Sequence, residues 1–245
     1  MNILFPIIAL IMFPNQKDFK KDQLRYPRVR VAYEDKEESM LKLLENQGIE
    51  RSTLSVYLRA FKSEKEIELW GRDEASRSFK LIRTYEVCAI SGKIGPKRKQ
   101  GDLQIPEGFY HIDRFNPYSN YYLSLGINYP NNSDRILGTY SNLGGDIFIH
   151  GNCVTIGCLP ITDEQIKELY IFCVEARSND QEKIPVTIFP SRLEDAEFEK
   201  LKNTYANDKD KLGLWEDLKK GYDLFNEKKT LPSVRFLKDG RHLVQ

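Results

Sequence analysis

The residues best equipped for chemistry stand in one short stretch, His150-Gly-Asn-Cys153-Val-Thr-Ile-Gly157-Cys158. A thiol beside an imidazole gains thiolate character, and the thiolate is a strong nucleophile. Cys158 is then the nucleophile and His150 its base. Gly157 carries no side chain, so a substrate carbonyl could come close to the backbone there. The N–H groups around Gly157 and Cys158 could stabilise a tetrahedral oxyanion. The same residues admit two other readings. His150, Cys153 and Cys158 could be zinc ligands, with His111 or Cys173 supplying a fourth from a distance. Alternatively, Cys153 and Cys158 form a disulfide or simply pack. The chain has three histidines. His111 sits in an alternating stretch and reads as structural, and His242 follows a turn and reads as a surface residue.

The stretch must be a loop, because regular elements flank it. Asp146 to His150, DIFIH, is a short apolar strand. Thr162 opens a helix, with Thr162 and Gln165 in capping-box spacing and Ile166, Leu169, Tyr170, Cys173 and Val174 recurring at helical period. Upstream, Lys36 to Gly48 reads as a helix closed by glycine, after a charge-rich linker over Gln16 to Arg30. Alternation from Leu54, resumed at Ile67 and Leu69, predicts a hairpin turning near Lys62 to Glu66. Further strands are expected over Lys80 to Ile90, Phe109 to Phe115, Tyr121 to Leu125 and Ile184 to Phe189, with a Gly/Pro-rich loop over Ser91 to Gly108. Beyond Pro190 the pattern becomes helical: Glu194 to Tyr205, then the stripe Trp215, Leu218, Tyr222, Phe225. Asp239-Gly240 marks a terminal hairpin.

Composition narrows the function classes. In 245 residues, 37 Lys and Arg against 36 Asp and Glu leave 37 − 36 = +1, without the basic footprint of a nucleic-acid binder. A hydrophobic share of 40% is enough for a sizeable core, and four cysteines do not make a disulfide scaffold. No apolar run reaches the roughly 18 to 20 residues of a membrane span. Ile3 to Pro14 has the length of a signal h-region, although no Lys or Arg precedes it and no small-x-small site follows. Residues 1–15 are expected to be a signal or short anchor, with a buried N-terminal segment as the alternative.

The segment Ile149 to Thr162, IHGNCVTIGCLPIT, resembles the signature of the L,D-transpeptidase catalytic domain (YkuD-type). Thr155, Gly157 and Cys158 match its Ser/Thr-x-Gly-Cys ending, and His150-Gly151 match its upstream His and small residue. Gly101-Asp102, the Pro106-Glu107-Gly108 loop before Phe109-Tyr110, and IPVTIFP (Ile184 to Pro190) support the likeness over about 54–190. Ile156 stands where many members carry a second His, the His-to-Cys separation is short, and Leu159-Pro160 stands where Arg or Asn is common. The first two features look like the YafK-type branch.

The resemblance implies an α+β protein: a mainly-β catalytic domain over 54–190, a linker and helix over 16–53, and a helical extension with a terminal hairpin over 191–245. It implies a peptidoglycan-modifying cysteine enzyme of the bacterial envelope, periplasmic, needing no cofactor or metal. Cys158 would form a thioester with diaminopimelate-containing stem peptides, His150 would act as acid and base, the Gly151 carbonyl would orient the ring, and Gly157 would lend its amide to the oxyanion. A hydrolytic relative that releases D-alanine or a wall-attached lipoprotein is the nearest alternative, and a non-catalytic wall-binding module is another. Substrate contacts are expected at Asn152, Thr155, Tyr118, Lys97 and Arg98. Cys88 and Cys173 are expected to be inert.

Overall fold

The computed structural model describes residues 18–138 and 142–245, so the apolar Ile3 to Pro14 run lies outside the described residues. The chain is α+β. Its order is α1 (Asp18–Gln23), α2 (Pro27–Gln47), β1 (Ser55–Phe61), β2 (Glu66–Arg72), β3 (Lys80–Glu86), β4 (Gly108–Asn116), β5 (Ser124–Ile127), α3 (Asn132–Leu137), β6 (Phe148–His150), β7 (Leu159–Pro160), α4 (Asp163–Ser178), β8 (Ile184–Phe189), α5 (Asp195–Thr204), α6 (Lys209–Lys228), β9 (Val234–Phe236) and β10 (His242–Val244).

Eight strands form one sheet in the order β3-β2-β1-β8-β4-β5-β6-β7. The apolar strand β8 enters at its centre, parallel to β1 and antiparallel to β4. Such a strand is covered on both faces, which is why its sequence is nearly continuous in apolar residues. One face carries Leu125, Ile149 and Leu159 into a core with α4, where Ile166, Leu169, Tyr170 and Cys173 are fully buried. The reciprocal hydrogen bonds between Thr162 and Gln165 set the start of α4.

The charge-rich stretch expected to be a linker is helical. Pro27 occupies the first turn of α2, where its missing N–H costs nothing, and Val29, Ala32, Tyr33, Met40 and Leu44 line one buried face. Charge on the other face masked the first part of this stripe, Val29 to Tyr33, whereas the part from Lys36 is helical as expected and ends at a left-handed Gly48. The strand expected over Tyr121 to Leu125 begins instead at Ser124, because Tyr122 adopts a left-handed φ of 70° that a strand does not accept. His242 is buried against Asp217 rather than on the surface.

On the other face of the sheet, α5 and α6 pack over Phe61 and Phe189 through Phe198, Trp215 and Tyr222. A buried polar hub ties these helices to the loop before β4. Lys62 donates to the carbonyls of Lys93, Gly95 and Ile105 and to Glu107 at 2.8 Å. Glu107 also accepts from the Gly95 N–H and from Trp215 Nε1, both at 2.7 Å. A buried ion pair is tolerable only when its remaining hydrogen-bonding capacity is used in this way.

Candidate active site

β6 and β7 run parallel, with Ile149 opposite Leu159 and His150 opposite Pro160. Ile149 and Leu159 point into the α4 core, so His150 points to the opposite face. Cys158 immediately precedes β7, and its thiol meets the backbone of Phe148 and Asp146 at the entry to β6, the strand that ends in His150.

Each side chain is held by its surroundings. His150 is 1% exposed, and its ring lies on Tyr121 with centroids 4.6 Å apart. Its Nδ1 stands 2.5 Å from the Gly151 carbonyl. A carbonyl only accepts, so Nδ1 carries the hydrogen and Nε2 keeps a lone pair for a thiol proton. Burial pushes the imidazole below its ordinary pKa, and the Gly151 hydrogen bond opposes that only in part, so the ring is neutral near pH 7. Gly151 is itself required by packing. A Cβ there would meet Asp163 Oδ1 at 2.5 Å and the Tyr121 carbonyl at 2.9 Å. The same Asp163 oxygen accepts the Asn152 N–H at 2.8 Å, which anchors the turn to the first residue of α4.

Cys158 is a free, half-buried thiol whose Sγ lies 3.6 Å from the Asp146 carbonyl. Burial raises its pKa. The Phe148 backbone and the nearby Lys97 charge pull the other way, and Asp146 adds to the rise. Burial thus biases each group, taken by itself, toward its neutral form.

Several expected contacts are arranged differently. Thr155 Oγ1 accepts from the N–H groups of Gly157 (3.1 Å) and Cys158 (2.8 Å) and donates to the Cys158 carbonyl. Its hydroxyl folds the loop, and both proposed oxyanion donors are already engaged. Lys97 is 5% exposed and bonded to Asp102 at 2.5 Å, so it reaches Cys158 only through its field and does not stand in solvent as a carboxylate receptor. Arg98 bridges Asp134 and Asp210, tying its loop to α6. Tyr118 is 70% exposed and meets Tyr26 edge-on, whereas its neighbour Tyr121 is the residue against the histidine. Asn152 keeps an exposed side chain with its backbone at a φ of 61°.

The remaining cysteines settle the competing readings. Cys88 and Cys153 form a disulfide, so Cys153 pairs neither with Cys158 nor with a metal, and Cys88 is not an inert packed thiol. Cys173 is buried in α4. No group of three or more His, Cys, Asp or Glu able to hold a metal occurs among the described residues. No helix among them is long and apolar enough to cross a membrane.

The family model for the L,D-transpeptidase catalytic domain, YkuD, matches residues 55–188. The Escherichia coli (strain K12) protein named "Putative L,D-transpeptidase YafK" is 38% identical over 191 residues, which is 77% of this chain and 73% of that protein. Among solved structures, the helical cell shape determining protein Pgp2 from Campylobacter jejuni aligns with a TM-score of 0.45 and 20% identity, covering 81% of this chain and 80% of that one. Bd1075 from Bdellovibrio bacteriovorus aligns with a TM-score of 0.41 and 20% identity, covering 64% and 56%.

Proposed function

Because the chain belongs to the YkuD-type L,D-transpeptidase catalytic domain family, we propose that it is a cysteine acyltransferase acting on peptidoglycan stem peptides in the bacterial envelope. The observation that supports this reading is the pairing of β6 with β7, which brings the strand ending in His150, its Nδ1 held by the Gly151 carbonyl, beside the strand that follows the free thiol of Cys158.

In this mechanism His150 Nε2 takes the Cys158 proton as the sulfur attacks the carbonyl of diaminopimelate. The imidazolium, held by the Gly151 carbonyl, then protonates the departing amine and leaves a thioester on Cys158. The main-chain carbonyl does the orienting that a carboxylate does in a Ser-His-Asp triad. An amine acceptor resolves the thioester into a new amide, whereas water releases a shortened stem. The Gly157 and Cys158 amides become oxyanion donors once the Thr155 hydroxyl turns away from them. The disulfide between Cys88 and Cys153 supports an exported, periplasmic protein, because such bonds persist in oxidising compartments.

The test is incubation of the protein with purified muropeptides and identification of products by mass spectrometry. Cross-linked dimers are expected from wild type and none from a folded Cys158→Ala variant. Shortened stems alone assign the hydrolytic branch, and equal turnover by Cys158→Ala refutes the thioester mechanism and leaves a wall-binding role.

A further inference from the structure

β4 ends at Asn116 and β5 begins at Ser124, and the turn between them lies against His150. Ser124 pairs with His150 across the sheet, the Leu123 carbonyl accepts the Gly151 N–H at 3.2 Å, and the Tyr121 ring rests on the imidazole. Inside the turn, Asn116 Oδ1 accepts the Tyr118 N–H and Ser119 Oγ accepts the Tyr121 N–H, both at 3.0 Å.

α2 grips this turn from outside. Arg28 Nη1 donates to the Ser119 carbonyl at 2.6 Å and to the Tyr122 carbonyl at 2.7 Å, so one cation holds the carbonyls on either side of Tyr121. Its guanidinium stands 5.6 Å from the centroid of the Tyr122 ring, and Tyr26 meets Tyr118 edge-on. The helix is a firm base for this clamp. Val29 and Tyr33 are buried, and the Tyr33 hydroxyl donates to Glu175 of α4 at 2.7 Å. The family match begins at residue 55, so Arg28 lies in a part of the chain that the match does not cover.

An imidazole turns about a broad, roughly two-fold torsion. The Gly151 carbonyl holds one edge of the His150 ring through Nδ1. A half-turn would set a ring carbon there instead, and the tautomer that the hydrogen bond selects would be lost. That rotation sweeps the ring edge through the space that Tyr121 fills, its plane tilted 31° from the imidazole. Tyr121 is 43% exposed, so burial alone does not keep it in place.

We propose that Arg28 is a positioning residue for His150: it fixes the turn between β4 and β5, and Tyr121 in that turn blocks the rotation that would free Nδ1 from Gly151. The catalytic meaning of this tautomer rests on the acyltransferase reading, but the tautomer itself is measurable without turnover. Arg28 acts through Tyr121 and not on the reacting atoms.

The experiment is nitrogen NMR of the full chain labelled with ¹⁵N-histidine, at about pH 8, above the lowered imidazole range. His150 is assigned by the signals that vanish in His150→Gln. In wild type its two ring nitrogens should be well separated, one protonated and one bare, as a single Nδ1–H tautomer requires. In Arg28→Met, which keeps the stem and loses the donors, and in Tyr121→Leu, the two shifts should move toward each other as the tautomers exchange. Tyr121→Phe, the conservative variant, should restore the separation. His111 and His242 serve as internal controls and should stay where they are. An unchanged His150 in Arg28→Met overturns the proposal, and so does a change that His111 and His242 share. On muropeptides, Arg28→Met should lower kcat about tenfold with KM little altered, the pattern of a misplaced base. A tautomer change with no turnover by wild type keeps the positioning role and removes the acyltransferase. Equal turnover by wild type and Arg28→Met with an unchanged tautomer does the reverse.

Discussion

Replacing both Cys88 and Cys153 by serine isolates the bond that pins the loop between β6 and β7. The two residues are 65 positions apart in sequence, and their Cα atoms are 5.4 Å apart in the fold. Cutting the link releases the unfolded chain from a closed loop of that length, which in the chain-entropy picture lowers stability by about 4 kcal/mol at 25 °C. Both cysteines are changed together so that no unpaired thiol is left to be oxidised by air into a disulfide with Cys158. Urea unfolding followed by tryptophan fluorescence, with and without reductant, gives the measurement. Wild type under reductant and the double variant should fall together by about 4 kcal/mol, with a steeper denaturant dependence because the unfolded state expands. Reductant should leave the double variant unchanged. A loss below about 1 kcal/mol would refute the reasoning, since it would mean that the unfolded chain gains little freedom from the cut.

Three further outcomes are expected. Because burial raises the Cys158 thiol, its alkylation rate should keep climbing beyond pH 9, and a plateau below pH 8 would contradict that rise. Glu175 is buried, which alone would raise its carboxyl, but hydrogen bonds from Arg51, Lys20 and Tyr33 outweigh this and hold it at about 2 against an ordinary 4.5. Its contribution is therefore fully present above pH 4.5 and lost as pH falls through about 2. Glu175→Gln should be about 3 kcal/mol less stable than wild type at pH 7. The gap should close toward pH 2, and a pH-independent gap would exclude the linkage. Trp215→Phe keeps one aromatic ring, leaves a small void and strips an N–H from the buried Glu107 carboxylate, and should cost at least about 2 kcal/mol in urea unfolding.

Local pattern carried those parts of the molecule whose causes are local. The start of α4 follows from Thr162 and Gln165, and the turn between β1 and β2 from alternation that runs from Leu54 to Ala60 and resumes at Ile67. The first half of the α2 face, Val29 to Tyr33, was hidden because its buried residues are spaced among Arg and other charged residues, and helical packing against α4 overrides the linker-like composition, whereas the half from Lys36 to Gly48 was legible from its period and its closing glycine. The Cys88–Cys153 bond joins distant segments and leaves no spacing to read. The capture of the Gly157 and Cys158 amides by Thr155 did leave a signal. A threonine hydroxyl readily bonds backbone N–H groups two and three residues onward, so Thr-x-Gly-Cys is a turn motif in its own right. Tyr121 is distinguishable from Tyr118 only by the left-handed residue beside it.

The Lys62–Glu107–Trp215 hub bears on any attempt to isolate the catalytic unit. A fragment trimmed to residues 55–188 would leave Glu107 without its indole donor, Arg98 without Asp210 and Phe61 without the stacked Phe189 ring. The tail is thus masonry behind the sheet, and a transplanted version of the matched domain has to carry its tail along.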